Sequence, residues 1–423
     1  MRRCGSPYPV LLTLFLIALD AAAAAPRPVT DLRPTVILIS LDGFRYDYLE
    51  KYSAPNLHRL ASSGVRAEAL LPCFPTYTFP NHYSIVTGLY PAHHGIVANE
   101  MYDPGFDATF ALSDRSANEG RWWGGEPIWV TADKQGQKTA SVFWPGSAAP
   151  IAGMRPDHWE PFDEQVSPAE RVAKILGWLD LPAEERPTLL ALYFGEVDHA
   201  GHQHGPDSPQ VGAAISRVDT AIGALLDGLH QLGIEDRVNI IVVSDHGMAP
   251  ASPDRVIFLD DYIDLSHVRV PTRGSLLTVW PAPGEKDAVL ARLQKVPHLR
   301  VYRRENVPER WHYSGNARIA PIIAVADEGW TITGHEYARS HDFRKGQHGY
   351  DNNLRSMQAI FIAHGPAFKP GTNLPPFSNL DVYELMAYLL HVQPAPNDGT
   401  LEVFRRVLAG KPAKHSKELR SAP

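Results

Sequence analysis

A threonine hydroxyl at the start of a predicted helix is the first chemically suggestive feature of the chain. Thr78 directly precedes Phe79-Pro80-Asn81-His82, and proline suits a first helical turn because its φ is already helical and it has no amide proton to leave unpaired. We therefore predict a helix that runs from Thr78 toward Val86. Free backbone amides and the positive end of the helix dipole at such a position favour an alkoxide and a bound phosphate. A threonine there is more commonly only a helix cap, so a catalytic role needs support from other residues.

Side chains that bind metals recur where predicted strands end. Three aspartates follow apolar runs, and open α/β sheets bind their ligands at the carboxyl ends of the strands. Three histidines accompany them, one of which comes four residues after an aspartate, a spacing that puts both side chains on one face of a helix. Each residue alone is weak evidence, because an aspartate at a strand end is often a turn or cap residue. The six residues are Asp42, Asp198, His202, Asp245, His246 and His348.

This ligand set predicts two bound cations. Carboxylate oxygens and imidazole nitrogens are zinc ligands, and six of them with a hydroxyl exceed what one tetrahedral ion needs. Two ions about 4 Å apart can hold the attacking and leaving oxygens of an in-line phosphoryl displacement. Without cations, carboxylates packed this closely would have to take up protons. We therefore expect two zinc ions beside Thr78, with manganese or iron as alternatives.

Buried strands that alternate with helices must position these residues. Continuous apolar runs, typical of strands covered on both faces, lie at residues 34–41, 188–194, 239–243 and 359–363. Helices are predicted at residues 55–63, 167–179, 208–232 and 381–392. Because such alternation builds βαβ units, we predict an α/β fold with a mostly parallel central sheet and helices on both faces.

The segment between His246 and His348 departs from this alternation. Three strand-like stretches surround a helix-like one, at residues 272–280, 299–303, 319–326 and 287–296. We interpret residues 251–345 as an α+β subdomain inserted into a core domain of residues 33–250 and 346–410. Residues 411–423 are predicted to form a polar C-terminal tail.

The N-terminus predicts export. Arg2 and Arg3 precede an apolar run at residues 10–19 and an Ala-x-Ala pattern at residues 21–25, which is typical of a secretory signal peptide. We expect residues 1–25 to be that signal, with a signal anchor as the alternative. Its removal would leave Cys73 as the single cysteine. An exported chain without a disulfide fits a bacterial periplasm better than eukaryotic secretion.

Composition narrows the class of protein further. The chain has 423 residues, of which 44% are hydrophobic and 21% charged, as in a packed globular protein. Its net charge of −7 argues against a broadly basic surface for nucleic acid. After the predicted signal, no apolar run reaches the length of a membrane span.

Five motifs occur in order over most of the chain: Asp42-Gly43, Thr78-Phe79-Pro80-Asn81-His82, Asp198-x-x-x-His202, Asp245-His246-Gly247-Met248 and His348-Gly349-Tyr350-Asp351. Together they resemble the nucleotide pyrophosphatase/phosphodiesterase family of the alkaline phosphatase superfamily. The resemblance spans residues 36–397, and the lack of disulfides and of further domains is closer to the bacterial members than to the animal ones.

The resemblance implies an alkaline-phosphatase-like fold and a role for each ligand. Thr78 would attack phosphorus to give a phosphothreonine intermediate, which water then hydrolyses. The ligands would divide into two groups, Asp42, Asp245, His246 and Thr78 for one zinc ion, and Asp198, His202 and His348 for the other.

The resemblance also implies contacts to the substrate. Asn99 would donate to a non-bridging phosphate oxygen, much as an oxyanion-hole donor does. Phe79, Leu112, Phe162 and Tyr193 would line a slot for the nucleobase. Phe162 stands where members of the family often have a tyrosine, so a hydroxyl contact is not expected there.

The implied activity is hydrolysis of nucleotide phosphodiesters and pyrophosphates to nucleoside monophosphates. Two alternatives stay open: the same chemistry on a lysophospholipid or phosphonate ester, and a zinc- or nucleotide-binding protein without turnover. Cys73 lacks the arginine that follows a sulfatase nucleophile, which favours Thr78 in that role. Because Asn99 is neutral, we expect a singly charged diester to be preferred over a doubly charged monoester, unless an arginine of the inserted subdomain reaches the site.

Overall fold

A computed structural model describes residues 28–410, so the predicted signal peptide (residues 1–25) and C-terminal tail (residues 411–423) lie outside the described part. The strands are β1 Thr35–Leu41, β2 Val65–Ala67, β3 Leu70–Leu71, β4 Glu100–Asp103, β5 Ala108–Ala111, β6 Thr139–Val142, β7 His158–Glu160, β8 Leu189–Phe194, β9 Val238–Val243, β10 Ala249–Pro250, β11 Val256–Phe258, β12 Val268–Arg269, β13 Leu276–Pro281, β14 Leu299–Arg303, β15 Ile322–Ala326, β16 Thr331–Thr333, β17 Gly346–Gln347, β18 Phe361–His364, β19 Thr372–Leu374 and β20 Phe377–Ser378.

Helices surround these strands. They are α1 Tyr48–Lys51, α2 Pro55–Ser63, α3 Thr78–Thr87, α4 Pro91–His94, α5 Ile128–Asp133, α6 Pro168–Leu179, α7 Glu196–His204, α8 Pro209–Gln231, α9 Lys286–Leu293, α10 His335–Ser340 and α11 Asp381–Leu390.

A central sheet of eight strands carries the fold. Its order is β19-β2-β18-β9-β1-β8-β6-β7. Strand β1 pairs in parallel with β8 and β9, and β6 pairs in parallel with β8 and β7. Strand β18 is antiparallel to both of its neighbours, β9 and β2. The predicted α/β fold with a mostly parallel sheet is confirmed.

Strand β1 shows why the strand sequences are continuously apolar. All seven of its residues are buried. Val36 and Leu38 join the hydrophobic core on one face of the sheet, which includes residues of α3, α5 and α11. Ile37 and Ile39 join the core on the other face, which includes residues of α2, α6 and α8. Because helices cover both faces, both sets of alternate side chains are mostly apolar. The two polar residues of the strand have partners: the Thr35 hydroxyl donates to Arg33 O, and Ser40 Oγ lies 2.7 Å from His82 Nε2.

The antiparallel strand β18 begins two residues later than its apolar run predicts. Ala359, the first residue of that run, exchanges two backbone hydrogen bonds with Leu70, at 2.8 and 2.9 Å. It also forms an isolated bridge with Arg45. Ala359 therefore pairs outside the central sheet, and regular pairing with β9 starts at Phe361.

Residues 251–345 contain a second sheet. Its four antiparallel strands have the order β12-β13-β15-β14. Leu277 and Val279 of β13, Ile322 of β15 and Leu290 of α9 belong to a third hydrophobic core. The strand predicted at residues 272–280 begins only at Leu276, and the boundaries of the inserted subdomain stay a prediction.

His94, at the end of α4, is a buried histidine held in one neutral form. Its Nδ1 accepts a hydrogen bond from the Ile96 amide at 3.1 Å, so the proton resides on Nε2, which lies 3.0 Å from Ser84 Oγ. Burial lowers the pKa of His94 to about 3. Protonation would break the bond from Ile96 and place an unpaired charge in the core.

We expect His94→Gln to flatten the acid dependence of stability. The folded-state pKa lies below the unfolded value of about 6.5, so the unfolded chain takes up this proton first. The stability is therefore complete above about pH 6.5 and falls by about 1.4 kcal/mol per pH unit as the pH drops toward the folded-state pKa. Urea unfolding from about pH 6 to about pH 4 should show a steeper loss in the wild type than in the variant.

The exposed His230 provides the control. Its hydrogen bond and charge interaction with Glu235 raise its pKa, so His230→Gln should not flatten the slope. Equal slopes for the wild type and His94→Gln would contradict the assignment of His94.

Candidate active site

The carboxyl ends of three adjacent parallel strands bring the predicted ligands together. Asp42 follows β1, Asp245 and His246 follow β9, and Asp198 lies in α7, the helix after β8. Since β9, β1 and β8 are neighbours in the sheet, their ends meet at one edge. His348 enters from the side through β17, which pairs with β10.

Gly43 allows two of the aspartates to approach each other. Its φ of +68° is in the left-handed region, and a Cβ at this position would lie 2.9 Å from both Cα and Cβ of Asp198. The Gly43 amide also donates to Asp245 Oδ1 at 3.3 Å. A residue with a side chain would therefore push Asp198 away from the end of β1.

The three ligand histidines all present the same nitrogen to the site. His202 Nδ1 donates to Gly346 O, His348 Nδ1 to Thr76 O, and His246 Nδ1 to Gly247 O, each at 2.9 Å. These bonds fix the tautomer, so each Nε2 carries a lone pair. The Nε2 atoms of His202 and His348 are only 3.1 Å apart. Two neutral imidazoles that face each other in this way fit a shared positive partner.

The three aspartates also present acceptor atoms to the site without donors to match them. Asp42 Oδ1, Asp198 Oδ1 and Asp245 Oδ2 are buried and have no hydrogen-bond partner within residues 28–410. Asp245 Oδ2 lies 3.0 Å from His246 Nε2, and Asp42 Oδ1 lies 3.6 Å from it. Buried polar atoms are rarely left without a partner. The donor set and its unpartnered oxygens therefore fit bound metal ions.

Charge interactions pull the pKa values of the aspartates apart. Burial, together with Asp245 and Asp198, raises the pKa of Asp42 well above its usual range. Burial also acts to raise the pKa of Asp245, but His246 and His82 outweigh it and lower that pKa. A bound cation would stabilise the charged form of all three carboxylates. Metal binding at this site therefore competes with protons.

Three overlapping groups of side chains can hold a metal ion. They are Asp198, His202 and His348; Asp42, Asp198 and His246; and Asp42, His82 and Asp245. The first has the same members as one predicted ligand set. The other predicted set, Asp42, Asp245 and His246, is divided between the second and third groups, which also contain Asp198 and His82. The structure thus brings together every predicted aspartate and histidine, and their division between two ions stays a prediction.

His82 is the neighbour that sequence reasoning did not assign. It lies one helical turn after Thr78, and its Nδ1 is 2.8 Å from Thr78 O and 3.4 Å from Asp245 Oδ2. Its Nε2 is 2.7 Å from Ser40 Oγ. Partners on both ring nitrogens fix the orientation of the His82 ring, which places its Nδ1 near the Asp245 carboxylate. The i, i+4 spacing to Thr78 was the signal that pointed to it.

Thr78 faces this cluster from the first residue of α3. Tyr77, rather than Thr78, occupies the N-cap position. The Thr78 hydroxyl oxygen lies 3.4 Å from His246 Nε2, and the residue is half-buried. The helix predicted from Thr78 toward Val86 is confirmed as Thr78–Thr87, and the hydroxyl is directed at the ligands.

Asn99 is held beside Thr78 by the same helix. Its Oδ1 accepts from the Phe79 amide at 2.9 Å, a donor that the helix itself leaves unpaired. This bond fixes the orientation of the amide, so its Nδ2 is the group that can donate to a ligand. The position suits the predicted contact to a phosphate oxygen.

The four residues predicted for the nucleobase lie in different settings. Phe79 is half-buried and packs near Phe110, with ring centroids 6.0 Å apart. Phe162 is 59% exposed and Leu112 is 42% exposed. The Tyr193 hydroxyl donates to Asp42 Oδ2 at 2.7 Å, while its ring centroid lies 6.3 Å from that of Phe162. Tyr193 thus orients a ligand carboxylate, and the base slot stays a prediction.

One arginine of the segment 251–345 reaches the site. Arg344 Nη1 lies 3.3 Å from His202 Nε2. The expected preference for a singly charged diester was conditional on no arginine of this segment reaching the site, and Arg344 removes that condition. No sequence signal marked Arg344, since its position depends on how β17 packs against α7.

Such a cluster at the edge of a mostly parallel sheet, with a hydroxyl directed into it, fits an enzyme that transfers phosphoryl groups with the help of metal ions. A family model described as type I phosphodiesterase/nucleotide pyrophosphatase matches residues 36–351. The chain belongs to this family, and the predicted enzyme class is confirmed.

Relatives agree over most of the chain. Human ectonucleotide pyrophosphatase/phosphodiesterase family member 5 is 40% identical over 390 residues, which cover 91% of this chain and 81% of the relative. A Xenopus laevis protein named bis(5'-adenosyl)-triphosphatase enpp4 is 39% identical over 386 residues, covering 91% and 84%. The solved structure of an inactive threonine-to-alanine variant of murine member 5, in complex with AMP, has a TM-score of 0.85 at 40% identity and covers 89% of this chain and 100% of its own.

The comparisons leave two predictions open. Some relatives are longer, and the chain spans 43% of their length. The relatives compared come from animals and a fission yeast, so they do not support a bacterial type or a periplasmic location. Within residues 28–410, no helix has the length and apolar character to span a bilayer.

We expect Gly43→Ala to damage both the site and the fold. The new Cβ would collide with Asp198 and would require a left-handed backbone, a strain of about 1–3 kcal/mol. Hydrolysis of a chromogenic nucleotide ester and the free energy of unfolding should both fall, and activity should fall more than stability explains.

Gly136→Ala is the matched control. Gly136 has a φ of +75° but open space where a Cβ would lie, so it tests the backbone strain without the collision. If Gly43→Ala were as active as Gly136→Ala, the close approach of Gly43 to Asp198 would not matter for function.

Proposed function

We propose that the protein is a two-zinc phosphodiesterase and pyrophosphatase that hydrolyses nucleotide substrates to nucleoside monophosphates through a phosphothreonine at Thr78. The observation that carries this proposal is the position of the Thr78 hydroxyl, 3.4 Å from His246 Nε2 at the start of α3. His246 Nε2 in turn lies 3.0 Å from Asp245 Oδ2, a buried carboxylate oxygen without a hydrogen-bond partner within the described residues.

We divide the predicted ligands into two groups, one for each ion. Asp42, Asp245 and His246 would hold the ion next to Thr78, and Asp198, His202 and His348 would hold the other. Mixed oxygen and nitrogen donors of this kind suit zinc. When bound, the two ions would supply positive charge to the attacking and leaving oxygens of a phosphoryl transfer.

The residues themselves account for the bond changes. The Thr78 oxygen forms a bond to phosphorus as the bond to the leaving oxygen breaks, and the hydroxyl loses its proton while the leaving group gains one from solvent. A water molecule then attacks the phosphothreonine, which restores the Thr78 hydroxyl and releases the nucleoside monophosphate. The net reaction consumes one water molecule.

The start of α3 provides the setting for the phosphate. The positive end of the helix dipole favours the anionic oxygens. Asn99 Nδ2 would donate to one non-bridging oxygen while its Oδ1 remains bonded to the Phe79 amide. Phe79 and Phe162 would contact the base, with Leu112 at the edge and Tyr193 holding Asp42.

Nucleotides are the substrate class that the relatives support. One relative is named as a bis(5'-adenosyl)-triphosphatase, and the murine structure contains AMP. Neither name points to a lysophospholipid or a phosphonate, so those esters serve as the comparison in the experiment. We also propose that residues 1–25 direct export of the chain.

Thr78→Ala should abolish turnover. Loss of an essential nucleophile typically lowers kcat by about a thousandfold or more. The measurement is release of nitrophenolate from the p-nitrophenyl ester of thymidine monophosphate, beside the corresponding phosphocholine and phosphonate esters. Thr78→Ser, which keeps a hydroxyl, should retain part of the activity.

Acid quenching of the wild type during turnover should trap labelled phosphate on Thr78. Full activity of Thr78→Ala would rule out the nucleophile, whereas a higher kcat/KM for the choline or phosphonate ester would overturn the nucleotide assignment.

Removal of metal should abolish hydrolysis, and zinc should restore it. Elemental analysis of the wild type should give two zinc ions per chain. His202→Ala should lose one of them, because its Nε2 belongs to only one ligand group. Metal affinity should fall as the pH is lowered, since the ligands must be deprotonated.

His204→Ala is the matched control, because His204 is an exposed residue of the same helix, α7. It should retain both ions. Activity that survives exhaustive chelation, or a wild type with a single ion, would contradict the two-ion site.

A further inference from the structure

A series of side-chain contacts leads from Thr78 through three histidines to Arg344. Thr78 Oγ1 is 3.4 Å from His246 Nε2. The His246 ring stacks on His348 with centroids 3.6 Å apart, and His348 Nε2 is 3.1 Å from His202 Nε2. Arg344 Nη1 then lies 3.3 Å from His202 Nε2. The guanidinium therefore adjoins His202 of the group Asp198, His202 and His348, whereas the hydroxyl contacts His246.

The backbone next to Arg344 is anchored to the same helix that carries His202. The Lys345 amide donates to His202 O at 2.9 Å, and Lys345 O accepts from the Ala251 amide at 2.9 Å. Gly346 packs so closely on α7 that a Cβ there would lie 2.3 Å from Gly201 O. The starting point of the Arg344 side chain is thus fixed, while the side chain itself is exposed.

The charge of Arg344 is directed at the site. None of the ion pairs among residues 28–410 includes Arg344, and its hydrogen-bond contact is to His202. Burial raises the pKa of Glu100, which follows Asn99, while Arg273 and Arg344 act to lower it. Arg344 therefore lies within electrostatic reach of both His202 and the segment that carries Asn99.

The position of Arg344 relative to the nucleophile suggests which part of the substrate it contacts. In an in-line displacement the leaving group departs on the side opposite the nucleophile. If Thr78 attacks beside His246, the leaving oxygen would face the other proposed ligand group, which contains His202, the residue that Arg344 contacts. A guanidinium there can donate two parallel hydrogen bonds to a phosphate, a geometry that an uncharged leaving group does not match.

We propose that Arg344 binds the phosphate of the leaving group and so makes the enzyme selective for nucleotide pyrophosphates over simple phosphodiesters. The inference rests on the proposed function, because Thr78 as the nucleophile defines the leaving side. It adds to that function a specificity residue and a preference between its two kinds of substrate. Arg344 acts on the leaving group, and Asn99 acts on the phosphoryl group that is transferred.

The test compares two substrates that share the transferred group. Thymidine triphosphate has pyrophosphate as its leaving group, and the p-nitrophenyl ester of thymidine monophosphate has a leaving group without phosphate. Arg344→Ala should lower kcat/KM for the triphosphate by about 10- to 100-fold, the range for a hydrogen bond to a charged group. For the nitrophenyl ester, the change should stay within about threefold, and Arg344→Lys should be intermediate for the triphosphate.

Lys345→Ala is the matched control. It removes the same charge one residue further along the anchored loop and should leave the ratio of the two kcat/KM values unchanged. Zinc content and thermal unfolding of all variants should equal those of the wild type, since both side chains are exposed.

A binding measurement gives a second readout without turnover. In a Thr78→Ala background, calorimetry should show that Arg344→Ala weakens binding of the triphosphate by about 10-fold or more and leaves binding of thymidine monophosphate unchanged. A wild type that hydrolyses neither substrate would refute the proposed function itself. Hydrolysis of both, with Arg344→Ala lowering the two equally or not at all, would overturn only the role of Arg344.

Discussion

Mutual repulsion among buried ligands is the constraint on which the rest of this structure depends. Three carboxylates and three imidazole lone pairs converge where β9, β1 and β8 end, and Asp42 Oδ1, Asp198 Oδ1 and Asp245 Oδ2 have no hydrogen-bond partner within residues 28–410. Hydrogen bonds from neighbouring groups hold these side chains in place. The histidine Nδ1 atoms are bonded to main-chain carbonyls, and the Tyr193 hydroxyl binds Asp42. Bound cations or protons must offset this repulsion, and the raised pKa of Asp42 shows that protons can take part.

Much of this arrangement could be predicted because its signals are local. The buried strands appear as continuous apolar runs, and three of the four runs are followed within four residues by an aspartate that the sheet then brings to one edge. The i, i+4 pair Asp198 and His202 lies on one helix, as the spacing requires. The helix that starts at Thr78 also follows from local chemistry, through Pro80 and the glycine at its end.

What could not be predicted depends on packing between distant segments. His82 contacts Asp245 because α3 lies across the ends of the strands, and Arg344 meets His202 because β17 is anchored to α7. Tyr193 was expected at the base slot, but its hydroxyl is bonded to Asp42, a contact set by the register of β8 against β1. Ala359 pairs with Leu70 outside the central sheet. The spacing of His82 to Thr78 places it on one face of α3, but its contact with Asp245 and the other contacts named here leave no periodic pattern in the sequence.

The stacking of His246 on His348 has a consequence for how the protein forms. The two rings join chain segments that are separated by the whole second sheet. A chain is synthesised from its N-terminus, so the residues of β1, β8 and β9 are all present before His348 is added. These strands can pair while the imidazole of His348 is still missing. A nascent chain can therefore form this part of its scaffold before its site is complete.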